Sequence, residues 1–127
     1  MLPTRGQFYR WLVYLTNTLQ ADIINHAYSD RLADDDAGAE VVKRHVQARV
    51  STSLDIIENH LASTGPWMLG KRYSAVDPYL FMLCRWTRNM PSPARARPHL
   101  KRFLDAMMER PAVQRAHQQE EIGPPFY

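Results

Sequence analysis

From Arg5 to about Tyr28, apolar side chains recur at steps of three and four: Phe8, Trp11, Leu12, Leu15, Leu19 and Ile23. That period predicts a helix with one face in a core. Tyr9, Val13, Tyr14 and Ile24 form a second, partly apolar edge, so two contacts are expected of this helix. At about 1.5 Å per residue it is about 35 Å long. A second stripe, Val42, Val46, Val50, Leu54, Ile57 and Leu61, predicts a helix from Ala39 to about Ser63. Its outer faces carry Lys43, Arg44, Arg49, Asp55 and Glu58, and Ser63-Thr64-Gly65-Pro66 ends it. Between the two, Ser29 to Gly38 breaks the pattern, with Asp36 expected as the next N-cap.

Tyr79 to Cys84 is apolar without interruption. A helix apolar on every side belongs in the middle of a domain. It is predicted from Ala75 to about Asn89, stopped by Met90-Pro91-Ser92-Pro93. A fourth helix opens near Pro98 and buries Leu100, Phe103, Leu104, Met107 and Met108. Pro111 separates it from a fifth, about Ala112 to Glu121. Residues 1–4 read as a linker remnant and 123–127 as a non-helical tail. Strand-like alternation and internal repeats are absent. The expected fold is one all-α domain over 1–127: a five-helix bundle with two long antiparallel helices and a central buried one.

The entry to the central helix is strongly marked. Gly65-Pro66 and Gly70 punctuate the loop before it. Ser74 and Asp77 stand at N-cap and N3, where the hydroxyl accepts the Asp77 N–H and the carboxylate returns a bond to the Ser74 N–H. Tyr73 is placed to staple the first turn. Pro78 falls one step past the free N–H groups, which predicts a distorted first turn.

Composition narrows the function. A net charge of +3 is too mild to require nucleic acid or an anionic membrane. One cysteine rules out an internal disulfide, and no apolar run approaches the roughly 20 residues of a membrane span. The N-terminus lacks a signal-peptide layout. A cytoplasmic location is therefore expected. The five histidines show no metal-ligand spacing, and Asp34-Asp35-Asp36 lacks that of a calcium loop. Cys84 reads as a packing residue, and no catalytic set stands out. Arg85, Arg88, Arg95, Arg97, Lys101 and Arg102 fall in a stretch without acidic residues. Such a run suits an acidic protein or RNA, but it lacks the aromatic interleaving expected of single-strand binding, so a solvated loop is the plainer reading and no nucleic-acid partner is expected.

The pattern Trp67-x-Leu69-Gly70-x-x-Tyr73-Ser74-x-Val76-Asp77-x-Tyr79-Leu80-Phe81, followed by Arg85-Trp86, resembles the C-terminal helical domain of bacterial, beta-class-like glutathione transferases. Glu109-Arg110-Pro111-Ala112-Val113 resembles that family's turn near the C-terminus. The resemblance implies a domain that supplies the hydrophobic electrophile pocket and dimer contacts for conjugation of glutathione. Trp86 matches a tryptophan bordering that pocket, and Asn17, Gln20 and Ile24 share a helix face that lines the same cleft. Gln20, Ala21 and Val13 depart from the histidine, lysine and asparagine of beta-class relatives. The thioredoxin-like domain that binds and activates glutathione has no counterpart in these residues. The resemblance therefore implies no catalytic residue here, and glutathione as co-substrate only when such a domain is supplied. Expected partners are a second copy, through Tyr9, Val13 and Arg49, or a thioredoxin-like domain, together with a hydrophobic small molecule. The alternative is a stand-alone, non-catalytic interaction module of the same fold.

Overall fold

The computed structural model describes residues 4–127, so of the expected linker remnant only Thr4 falls within it. The architecture is all-α. Helices α1 (Thr4–Tyr14) and α2 (Ala21–Ala27) are joined end to end by a π-helical stretch, Leu15–Gln20, into one rod. Then come α3 (Asp36–Thr64), α4 (Val76–Trp86), α5 (Pro98–Met108) and α6 (Pro111–Gln119). With the rod counted once, these are the five helices expected. Among the described residues there is no strand, only two isolated bridges in the loop before α4. No described helix is long and apolar enough to cross a membrane.

The π stretch follows from the spacing of the core residues. Trp11, Leu15, Leu19 and Ile23 are all buried and stand four apart. A four-residue step overshoots a 3.6-residue turn by about 40°. The wider π turn, with i→i+5 bonds, undershoots and so cancels that drift. The stripe therefore keeps facing the core along the whole rod.

The rod lies antiparallel to α3. The Trp11 ring packs 4.4 Å from that of His60, Arg49 Nε meets Asp22 at 3.1 Å, and His26 donates to Gln47 at 3.3 Å. The α3 stripe is buried at Val46, Val50, Leu54, Ile57 and Leu61. Its N-cap is Asp35, which accepts from Gly38 N at 2.7 Å, and not the expected Asp36, which opens the helix. At the other end the Gly65 amide bonds to Leu61 O, and a Cβ there would meet that oxygen at 2.7 Å. Gly70, at φ 81°, closes the tight turn bonded to Trp67.

Helix α4 sits at the centre, with Val76, Leu80, Leu83 and Cys84 buried. It begins one residue later than expected, which puts Pro78 among the first-turn positions that need no intrahelical donor. The predicted conflict at that proline is thereby removed. The helix also ends early, at Trp86. The Thr87 hydroxyl donates to Cys84 O at 2.7 Å and accepts from Ala94 N at 3.0 Å, which turns the chain before the prolines.

Two polar clamps hold α5. Glu58 on α3 accepts from the His99 and Leu100 amides at 2.8 and 2.7 Å and from His99 Nδ1 at 2.9 Å, capping α5 from another helix. Burial alone would raise its carboxyl, but these bonds and the nearby imidazole hold it below the usual range. Arg97 is buried and reaches Asp55 at 2.6 Å, Ser51 and the Ser92 and Pro93 carbonyls. Helix α6 stops at Gln119, short of Glu121, because Ile122 N bonds back to His117 O and Glu121 takes φ 52°. The tail then folds back. Arg85 donates to Pro125 O and Phe126 O, both at 3.0 Å, and Phe126 and Tyr127 pack on His117 and Phe81. The Tyr127 hydroxyl donates to Asp105, and burial together with that carboxylate pushes the phenol up to about 12.

Candidate functional site

The entry loop to α4 is built around Asp77, which is fully buried. Its two oxygens accept from Ser74 N and Met68 N, each at 2.9 Å. The Ser74 hydroxyl accepts from Val76 N at 3.3 Å, while the Asp77 amide goes to the Ser74 carbonyl at 3.0 Å, so the expected bond from that amide to the hydroxyl is absent. Burial pushes the Asp77 carboxyl up, against the pull of the two amides and the Arg110 charge. That guanidinium lies 3.6 Å over the Tyr73 ring, with Trp67 also beneath it. The Glu109-Arg110-Pro111 turn is thus tied to the loop that starts α4.

The four residues expected to line a ligand cleft fall on the rod and on α4. Asn17 and Gln20 lie on the π stretch, Ile24 on α2 and Trp86 at the end of α4. The join between the elements is polar. The Tyr79 hydroxyl lies 2.9 Å from Thr16 Oγ1 and donates to Gln20 Oε1. Two observations give α4 the same direction as the rod. Its start at Tyr79 meets Thr16 and Gln20, and Met90 beyond its end borders the same hollow as Gln47, the partner of His26. Trp86 is thereby set at the level of α2. Above the join, Ile24 is 40% exposed, Met82 37% and Trp86 39%.

So α4, expected to be enclosed on every side, carries an open apolar strip: Met82 and Trp86 stand three and seven residues on from Tyr79. The π stretch meets α4 at Tyr79, and π turns are frequent at functional sites. Tyr79, Thr16 and Met82 are site residues that the sequence did not single out. Tyr79 lay hidden in the apolar run, and only its hydroxyl distinguished it.

The remaining chemistry is structural. Burial pushes up the Cys84 thiol, which leaves it inert. Among the described residues no three metal-ligating side chains converge. Within the basic run, Arg85, Arg95 and Arg97 bond to main-chain oxygens, and Lys101 pairs with Asp105 at 2.9 Å. Tyr9 and Val13 are exposed on α1, and Arg49 is bonded to Asp22.

Comparison with known proteins agrees with the fold. Residues 21–119 match the family described as glutathione S-transferase, C-terminal domain. Glutathione S-transferase GstA of Escherichia coli O157:H7 is 31% identical over 77 residues, which are 61% of this chain and 38% of that protein. A crystal structure of a glutathione transferase homolog from Sulfitobacter, with bound glutathione, superimposes with a TM-score of 0.82 at 24% identity. It covers 92% of this chain and 56% of its own, so the chain spans well under two thirds of either relative.

Proposed function

We propose a function from one premise: this chain belongs to the glutathione S-transferase C-terminal domain family. In that setting it supplies one wall of a cleft for a flat hydrophobic electrophile, lined by Asn17, Gln20, Ile24 and Trp86. The observation that supports the reading is the Tyr79–Gln20 bond, which ties the π stretch to α4, with Ile24, Met82 and Trp86 partly exposed further along the two elements. Exposed aromatic and aliphatic surface around a few polar groups suits flat apolar ligands. Glutathione enters as co-substrate only through a thioredoxin-like domain, and no residue of this chain activates its thiol. The exposed α1 edge at Tyr9 and Val13, with the outer face of α3 at Arg49, is the proposed contact for a second copy, in the cytoplasm. The alternative of a docking module on the basic run is disfavoured, because Arg85, Arg95, Arg97 and Lys101 are engaged within the fold.

The test is a titration with 1-ethylnaphthalene followed by tryptophan fluorescence. Saturable quenching that disappears in Trp86→Ala is expected, with Trp11 and Trp67 as internal references. Glutathione titrated by calorimetry should give no binding heat. Quenching that survives in Trp86→Ala would move the ligand elsewhere, and absence of quenching would remove the cleft.

A further inference from the structure

We propose that the surface beneath the tail, formed by α4, α5 and α6, is a docking groove for an extended acidic–aromatic peptide, and that residues 124–127 are its built-in competitor. The partner segment is an aromatic pair preceded by Asp or Glu. The inference does not rest on the cleft reading.

The tail lies in this groove as a short peptide would. Arg85 Nη1 on α4 donates to Pro125 O and Phe126 O, both at 3.0 Å, and Arg95 Nη1 donates to Tyr127 O at 3.2 Å. These bonds read main chain and not sequence. Side chains are read by Phe81 and His117, whose rings lie 6.0 and 5.3 Å from those of Tyr127 and Phe126, and by Asp105, which accepts the Tyr127 hydroxyl. The tail leaves two of the groove's groups unmet. His117 is only 8% exposed, its Nδ1 donates to Val113 O at 2.8 Å, and its Nε2 is enclosed without a partner, while Phe126 packs on the ring and offers no polar group. The second is charge. Arg85 meets only the tail carbonyls, and Arg88 donates to Arg85 O at 3.0 Å; among the described residues neither has a carboxylate partner. Burial, with the Arg88 charge added, draws the Arg85 guanidinium below its usual range. The paired oxygens of a carboxylate match such a fork best. At the other end of the groove the Tyr127 hydroxyl, and then Lys101, keep Asp105 charged, so an acid there would be repelled. The acid therefore belongs ahead of the aromatic pair. The hold of the tail is light: residues 123–125 are exposed, Phe126 and Tyr127 only half-buried. A segment on so short a tether acts at about millimolar effective concentration, so a partner must outbind it. Arg97 and Lys101 stay engaged by the body of the fold in either state, and what the lifted tail frees is Arg85.

The experiment titrates two fluorescein-labelled, amidated peptides, Gly-Pro-Glu-Phe-Tyr and Gly-Pro-Pro-Phe-Tyr, by fluorescence polarisation. The proteins are the full chain and a Phe126→Ala, Tyr127→Ala double variant, whose fold is checked by circular dichroism. The acidic peptide should bind the double variant more than about tenfold tighter than it binds the unmodified chain, where the tail competes. On the double variant it should also bind about tenfold tighter than the neutral peptide, the gain of one carboxylate on Arg85. Adding Arg85→Gln should bring the two peptides to equal affinity. Absence of binding to a folded double variant would overturn the groove, and equal binding to both proteins would place the peptide away from the tail. Equal affinities of the two peptides for the double variant, or an acid preference surviving in Arg85→Gln, would overturn the acidic partner. None of these outcomes bears on the cleft.

Discussion

Replacing Asp77 with alanine removes the acceptor of two amides at once. Met68 N is wholly enclosed and Ser74 N partly so, each 2.9 Å from a carboxylate oxygen. A buried donor left without a partner costs about 1–3 kcal/mol. The Ser74 amide recovers part of its loss from water, so the sum comes to about 2–4 kcal/mol. An exposed cap alone would be worth about 1 kcal/mol. At about 2.1 cal/mol/K per residue, 127 residues give an unfolding entropy near 0.27 kcal/mol/K, and the midpoint should fall by about 7–15 °C. Thermal melts by circular dichroism at neutral pH measure this. A fall of under 3 °C would refute the buried double acceptor. The pH dependence supplies a second check. Burial raises the folded carboxyl above its ordinary 3.8, so the folded chain holds that proton more tightly. The stabilisation is complete below the ordinary value and is lost as pH rises through the folded one. The gap between the unmodified protein and Asp77→Asn should therefore widen on acidification from neutral toward pH 4. A gap that narrows would contradict the raised carboxyl.

Two further outcomes follow from buried groups. Arg97→Lys should cost about 2–4 kcal/mol in urea denaturation, because an ammonium cannot span Asp55, Ser51 and the Ser92–Pro93 carbonyls as the guanidinium fork does; a loss below 1 kcal/mol would show the fork to be dispensable. Cys84 should resist a disulfide-exchange reagent in the native protein and react fully in denaturant, and rapid native reaction would contradict its burial.

What the amino-acid pattern revealed was whatever a single element expresses by itself. The α3 stripe, the proline start of α5, the break at Pro111 and the Ser74–Asp77 pairing at the α4 entry are all local. The groups that arrange one helix on another were not legible. Glu58 caps α5 from 41 residues away, and Arg97, read as part of a solvated basic run, is buried. Neither signal exists until α3 and α5 lie side by side. At the cleft, Trp86 and Gln20 were found through the resemblance. Tyr79 was missed because a phenol in an apolar run reads as core, and its hydroxyl gains meaning only opposite the π stretch. The cap of α3 was misplaced by one because three consecutive aspartates give the same local signal, and the Gly38 amide selects Asp35.

The π stretch has a consequence for lineage and for engineering. A widened turn of this kind is what one inserted codon leaves in a regular helix. Removing a single residue between Leu15 and Gln20 should rewind the stretch as regular α-helix, and because five α steps of about 100° turn about as far as six of the narrower π steps, the flanking turns should keep nearly the same phase. Trp11 would then still face His60 while α2 kept its place. The two ends of the rod thus stay in phase across the widened turn, and a homologue shorter by one residue there could pack its first turns with the same set of side chains.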